Sequence, residues 1–248
     1  MSQAPPSDPH GPQSPPVALA ETCRVVGSTI PLWYLHRARL TGGGCSEALL
    51  GQVDLAVAAA IADYAGEDCS RLRLHLEVGT DGSVVVELAR ALSSLDVVGG
   101  PVLAPVALAA LPPMPTLPPG GAKPADRSWW DAAAREARRQ RAHQALVLDA
   151  DGFVIDGSSA TVWIVVGREL VTAPSPAAVA GVARRLVLDR AGELGLEPAI
   201  RPAHFDEVEA ADEVFLTNAF GGAVAARGRG GPAAEAVRGL FSEVWRRV

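Results

Sequence analysis

Lys123, in GGAKPADRSWWD (residues 120–131), is the only lysine among the 22 Lys and Arg residues of this 248-residue chain. An ε-amine that sheds its proton can attack a carbonyl and form a Schiff base; a guanidinium, protonated at every accessible pH, cannot. A lone lysine is ordinarily a solvated surface charge, so its surroundings decide. Burial and a neighbouring cation would both lower its pKa toward neutrality, and Arg127 follows four residues later.

The other residues able to do chemistry are more scattered. His10, His36, His75, His143 and His204 lack metal-ligand spacing, so no metal is expected. Cys23, Cys45 and Cys69 are odd in number and widely spaced, which suits reduced thiols in a reducing compartment better than a disulfide framework. Arg71 and Arg73 alternate with leucines in RLRLHL. Both project from one strand face and could bind a carboxylate, although a half-exposed strand routinely carries Arg on its polar face. Ser158 and Ser159 sit in a turn with nothing to mark them as nucleophiles, and Trp129 and Trp130 read as core. Arg227 and Arg229, among glycines, read as a flexible loop.

A net charge of −6 argues against nucleic acid or an anionic membrane as the main partner. With 48% hydrophobic residues most of the chain should fold. The opening MSQAPPSDPHGPQSPP has neither the basic nor the apolar region of a secretory signal and reads as a disordered tail over residues 1–18. VVGGPVLAPVALAAL is broken by Pro101 and Pro105 and is too short to span a bilayer. A soluble, cytoplasmic protein is expected.

Several elements must position Lys123. Residues 112–124, PPMPTLPPGGAKP, permit neither helix nor ladder strand and read as a connection between a small N-terminal lobe (19–111) and a larger C-terminal lobe (125–248). Apolar spacing predicts a helix from Ser46 to Tyr64, and Leu72 to Leu88 reads as a hairpin turning at Asp81-Gly82. A helix over DRSWWDAAAREARRQRA precedes four short strands, read as a meander, in HQALVLDADGFVIDGSSATVWIVVGRELVTAP. AAVAGVARRLVLDRAGELGL reads as a helix ending near Gly195, ADEVFLTN as a buried strand, and GPAAEAVRGLFSEVWRRV as a closing helix. The irregular mixture predicts a two-lobed mixed α/β (α+β) fold rather than a doubly wound sheet.

Taken in order, these segments resemble the class IV, or fold-type IV, pyridoxal-phosphate enzymes, which include branched-chain and D-amino-acid aminotransferases and aminodeoxychorismate lyases. Lys123 stands where that family carries its cofactor-binding lysine. HQALVLDADGFVIDGSSAT is similar to the family's DEALLLDxxGxVxEGxxxN, TAPSPAAVAGVARR to its loop ending in LxGITR, ADEVFLTNAF to ADEVFxxNA, and HRARL (36–40) to HxxRL. No counterpart of the family's FETxR strand is found before HRARL, where CRVVGSTIPLWYLH takes its place.

The resemblance implies roles. Lys123 would bind pyridoxal 5'-phosphate covalently and act as the acid and base. Arg39 would hold the phosphate with the backbone N–H groups of Val182 and Ala183, at the helix start after Gly181. Asp156, where the family has Glu, would face the pyridine nitrogen with a side chain one methylene shorter, and Asn218 and Ala219 would border the cofactor. Arg127 after Lys123 and the Thr217-Asn218-Ala219 element are similar to the lyase branch. A homodimer is implied, eliminating pyruvate from 4-amino-4-deoxychorismate to give 4-aminobenzoate. An amino-acid/2-oxo-acid aminotransferase is the alternative, with Arg71 or Arg73 on the substrate carboxylate. Departures at Asp156, Thr161 (family Asn), Ala183 (family Thr) and Gln144 (family acidic) leave a third reading, a divergent member with weakened or lost cofactor chemistry.

Overall fold

The computed structural model describes residues 15–64, 71–174 and 178–246. Most of the expected tail, with His10, and Cys69 lie outside the described residues.

Strand β1 (Leu19–Val25) leads into helices α1 (Trp33–Gly42) and α2 (Glu47–Ala62). Antiparallel β2 (Leu72–Val78) and β3 (Val84–Arg90) complete a sheet in the order β1-β2-β3. The expected hairpin is present because its turn chemistry is local: Asp81 Oδ1 accepts from Ser83 N at 2.9 Å, and Gly82 takes a φ of 80°. Ser46 caps α2, its hydroxyl accepting from Leu49 N at 3.2 Å. Leu49, Leu50, Val53 and Val57 of α2 pack on Leu72, Leu74, Leu76 and Val78, the buried alternate residues of β2.

The opposite face of this sheet carries different residues. Register pairs Thr22 with His75 and Arg24 with Arg73, so these four share one side, away from the leucine layer.

Strand β4 (Leu103–Ala107) was not foreseen because Pro105 lies inside it. It is an edge strand, parallel to β5 (Gln144–Leu148), and an edge tolerates the missing donor. Between them α3 (Ser128–Arg139) buries Trp129, Trp130, Ala133 and Ala137. β6 (Val154–Gly157) closes this three-stranded sheet. The four strands expected between residues 144 and 172 are present but divided, since β7 (Thr161–Val166) and β8 (Glu169–Thr172) belong to a second sheet.

That sheet has the order β11-β10-β7-β8-β9. It is built with α4 (Val182–Arg190), β9 (Glu197–Ile200), α5 (Phe205–Ala210), β10 (Glu213–Asn218), β11 (Gly222–Ala225) and α6 (Pro232–Arg246). The expected helix at 177–196 starts only at Val182, with Gly181 as its extended N-cap, and ends through a 3₁₀ turn at Gly195, whose φ is 73°. Buried Glu213 caps α6, accepting from Ala233 N and Ala234 N at 2.9 and 2.8 Å. Trp163, Phe215 and Phe241 centre the core between this sheet and helices α4 and α6.

The proline-rich connection contains one 3₁₀ turn, Pro119–Gly121. Immediately after it the backbone docks on β1: Ala20 N donates to Lys123 O at 2.9 Å and Ala125 N to Ala18 O at 2.8 Å. Two ladder-like bonds thus fix the one lysine against the edge of the first sheet. The fold is mixed, with antiparallel and parallel pairs, and is not doubly wound.

Candidate active site

Lys123 opens into a cavity of about 400 Å³ lined by residues from both sides of the proline-rich connection. Its Nζ donates to Thr22 Oγ1 at 2.9 Å. Desolvation, reinforced by the charges of Arg127 and Arg39, lowers its pKa from 10.5 to about 7. A large share of this amine is therefore neutral at physiological pH, the state in which it is a nucleophile.

Behind Thr22, β1 turns Glu21 to its other face, where the carboxylate is fully buried. His36 Nδ1 donates to Glu21 Oε2 at 2.6 Å, the carboxylate being acceptor only. Arg39 Nε donates to Glu21 Oε1 at 2.8 Å, and Arg39 Nη2 to Oε2. Burial would raise the pKa of Glu21, but Arg39 and His36 overcome it and bring it down to about 2. Burial pushes His36 down despite Glu21, so the imidazole is neutral and Arg39 carries the positive charge of the trio. Arg39 lines the cavity, and its Nη1 donates to Ala180 O at 3.1 Å.

Asp156, at the end of β6, also lines the cavity. Its Oδ1 accepts from Gly157 N at 2.8 Å and its Oδ2 from Trp130 Nε1 at 3.4 Å. Desolvation raises its pKa to about 6, partly offset by these bonds and by Arg127, so the carboxylate is mostly anionic at neutral pH. Arg127 lies over the Trp130 ring at 4.6 Å and donates to Ser158 O at 3.2 Å.

The first turn of α4 supplies a different kind of group. Gly181, Val182 and Ala183 line the cavity, so a helix start, whose first N–H groups have no partner within the helix, borders it. Gly181 has an ordinary φ of −62°, and its constraint is space: a Cβ there would lie 2.9 Å from Thr161 Oγ1 and 3.3 Å from Arg184 Cβ. The bare backbone leaves room for an anion to approach. The end of β10 and the turn after it present Asn218 and Ala219. Asn218 Oδ1 accepts from Gly221 N at 2.6 Å, and its amide donates to Ser159 O at 3.4 Å.

Lys123, Arg39, Asp156, Gly181, Val182, Ala183, Asn218 and Ala219 thus meet in one cavity. Arg73 joins them, without an ion-pair partner among the described residues. Arg71 does not line the cavity; it precedes β2 and is paired with Asp96 at 2.5 Å. Thr161 stands in the wall at the position of the family's Asn. Gln144 is buried, its Oε1 accepting from Ser158 Oγ and Ser159 Oγ, both at 2.9 Å. An acidic side chain there could take the same two hydroxyls, so the substitution keeps the acceptor.

One reading needs correction. The strand taken as missing before HRARL is β1, where AETCR (20–24) keeps Glu, Thr and Arg of the FETxR pattern with Ala20 in place of Phe. The motif begins farther from His36 than CRVVGSTIPLWYLH, and its Glu21 and Thr22 hold Arg39 and the lysine amine. Arg24 of the same strand packs its guanidinium 3.8 Å from the centre of the Trp245 ring. Trp130 was also missed as a site residue, because an indole that packs in a core and one that bonds a carboxylate read alike in sequence.

A family model described as amino-transferase class IV matches residues 18–227. Among curated proteins, the branched-chain-amino-acid aminotransferase of Pseudomonas aeruginosa is 33% identical over 85 residues, which cover 34% of this chain and 28% of that protein. The matched stretch therefore spans less than a third of that relative. Among solved structures, a hypothetical aminotransferase from Mycobacterium tuberculosis, in a PLP-bound form, superposes with a TM-score of 0.74 at 19% identity, covering 96% of this chain and 94% of that one. A chain provisionally named a 4-amino-4-deoxychorismate lyase gives 0.71 at 23% identity, covering 98% and 94%. The structural likenesses show a shared fold, that of the fold-type IV transaminases.

Proposed function

The chain belongs to the amino-transferase class IV family, and from that premise we propose that it is a pyridoxal-phosphate-dependent lyase of the aminodeoxychorismate type, eliminating pyruvate from 4-amino-4-deoxychorismate to leave 4-aminobenzoate. The observation that carries the enzymatic reading is an enclosed, nearly neutral amine sharing a cavity with a carboxylate and a helix start. The lyase branch draws on Arg127 and the Thr217-Asn218-Ala219 element, all in the cavity wall.

The residues present fit the cofactor. Lys123 would hold its aldehyde carbon, Arg39 and the N–H groups of Val182 and Ala183 its phosphate, and Asp156 its ring nitrogen. The missing Cβ at Gly181 leaves the phosphate cradle open, and the missing Thr hydroxyl at Ala183 removes a side-chain donor but no backbone donor. Asn218 and Ala219 would border the ring. When bound, pyridoxal phosphate supplies an electron-withdrawing ring for the carbon that bears the substrate nitrogen.

The protein's own part is positioning and proton transfer. Asp156, anionic at neutral pH and oriented by Trp130 and Gly157, would keep a proton on the ring nitrogen. Lys123 Nζ takes the proton from the substrate carbon bearing nitrogen and returns one to the departing enolpyruvyl carbon, a role suited to a pKa near 7. Thr22 holds the amine in place meanwhile. Arg73, on the cavity side of the first sheet, takes a substrate carboxylate. Family membership supports a homodimer acting on a small molecule in the cytoplasm.

The test is product analysis with pyridoxal phosphate present. 4-Amino-4-deoxychorismate should yield 4-aminobenzoate and pyruvate in equal amounts. The Pseudomonas match favours a second reading, an aminotransferase; amino transfer between an amino acid and a 2-oxo acid, without elimination, would replace the first reading with it.

A further inference from the structure

The cavity carries more positive charge than a cofactor phosphate needs. Five cationic side chains line it, Arg39, Arg73, Lys123, Arg127 and Arg138, against the carboxylates of Asp131 and Asp156, in a chain whose net charge is −6. Three of the five are accounted for. Arg39 is paired with Glu21, Lys123 is only partly protonated at neutral pH, and Arg127 is set against Asp156 and Asp131. Arg73 and Arg138 have no ion-pair partner among the described residues, whereas the neighbouring Arg139 is paired with Glu136 at 2.5 Å.

The two uncompensated guanidiniums lie on different walls. Arg73 stands on the sheet face that also carries Thr22, the partner of the Lys123 amine. Arg138 belongs to α3, whose cavity-facing stripe runs from Arg127 and Trp130 through Asp131 and Ala134 to Arg138, an i, i+3, i+4, i+7, i+11 series. Eight residues at 1.5 Å rise place Arg138 about 12 Å along the helix from Trp130, which bonds Asp156. Ser94 and Ser159, with their Oγ atoms 2.8 Å apart, also line the cavity.

Resting on the reading of this cavity as the active site, we infer that Arg138 forms a second anion subsite, which selects substrates with two carboxylates, one held by Arg73 and the other by Arg138. A guanidinium fork suits a carboxylate, whereas a branched aliphatic side chain would leave the Arg138 fork without a partner. Arg138 is a specificity-determining residue on this account and takes no part in proton transfer.

The test needs no bound cofactor. Adipate and hexanoate, equal in carbon number and differing by one carboxylate, are titrated calorimetrically into the full chain with excess inorganic phosphate to saturate the helix start. Adipate should bind at least about tenfold more tightly. Arg138→Gln should abolish that preference and Arg138→Lys restore part of it. Arg139→Gln, outside the cavity, should leave it intact, and Arg73→Gln should weaken both ligands. Equal affinities in the parent protein, or a preference that survives Arg138→Gln, would overturn the inference. Failure of the elimination assay alongside an adipate preference lost on Arg138→Gln would overturn the proposed reaction and leave the subsite standing.

Discussion

The amine of Lys123 donates to the hydroxyl of Thr22 across 101 positions of sequence, at 2.9 Å. Next to Thr22 on β1, Glu21 faces the other way and grips Arg39 and His36. A single strand therefore positions the reactive amine from one face and the cavity's partly buried Arg39 from the other. The backbone bonds of Ala18 and Ala20 to residues 125 and 123 fix that strand against the lysine itself.

The depressed pKa of Lys123 sets a pH dependence. Below about 7 the ammonium is not nucleophilic, so the rate at which added pyridoxal phosphate develops its visible band should rise through pH 7 and level above it, rather than climbing toward 10.5. Arg127→Gln removes the leading charge effect and should move the midpoint upward. The unfolded chain binds more protons at this residue between about 7 and 10.5, so its unfavourable contribution to stability diminishes with rising pH across that window. Stopped-flow absorbance against pH checks the first point; an unmoved midpoint in the variant would contradict it.

Glu21→Gln leaves Arg39 buried without its counter-charge and should cost about 3 kcal/mol of stability near neutral pH, at the low end for a broken buried pair. A carboxylate whose folded pKa is about 2 contributes fully above its unfolded value of 4.5 and loses that contribution as pH falls toward 2. The gap between the two proteins in urea unfolding should accordingly narrow with acidification. A gap that is constant with pH would assign the loss to packing alone.

At the start of α4 the constraint is steric. Gly181→Ala brings a Cβ to 2.9 Å from Thr161 Oγ1 and should destabilise by about 1–3 kcal/mol, as overpacking does. It should also weaken inorganic phosphate binding. Removing the hydroxyl by Thr161→Ala in the same chain should recover part of the stability. Strict additivity of the two changes in a double-mutant cycle would show that the clash is not the cause.

Asp156→Asn keeps the shape and the Trp130 bond but discards the charge. Capture of pyridoxal phosphate by Lys123 should persist while turnover falls on the order of 100-fold, the scale for losing one preorganised electrostatic partner. Asp156→Glu, which restores the methylene, should retain turnover. Steady-state kinetics on the three proteins decide; wild-type turnover in the Asn variant would remove Asp156 from the chemistry.

Elements governed by local chemistry could be read without coordinates. The Asp81-Gly82 hairpin, the Ser46-capped helix and the stop at Gly195 each depend on a turn or cap residue within a few positions. Strands β4 and β9 could not, since each is four or five residues long and paired with a strand more than twenty residues away, and β11, four residues long, is too short to stand out beside β10. Among site residues, Lys123 stood out by composition and Arg39, Asp156 and Gly181 by order and spacing. Glu21 and Thr22 carry a local signal, the AETCR stretch, but their partners Arg39 and Lys123 are seen only once β1 is placed; Arg138 carries none, being one helix-surface arginine until α3 is seen to run along a cavity. Arg71 and Arg73 looked equivalent in sequence, and the ion pair to Asp96 separates them.

The central claim is that the Lys123 amine captures an aldehyde in this cavity. The direct measurement is borohydride reduction of the protein incubated with pyridoxal phosphate, followed by peptide mass analysis, on the parent chain and on Lys123→Arg. The expected result is one covalent pyridoxyl group on the peptide containing Lys123 and none on the variant. A parent protein that gains no pyridoxyl group, or gains it elsewhere while Lys123 stays unmodified, would contradict the account.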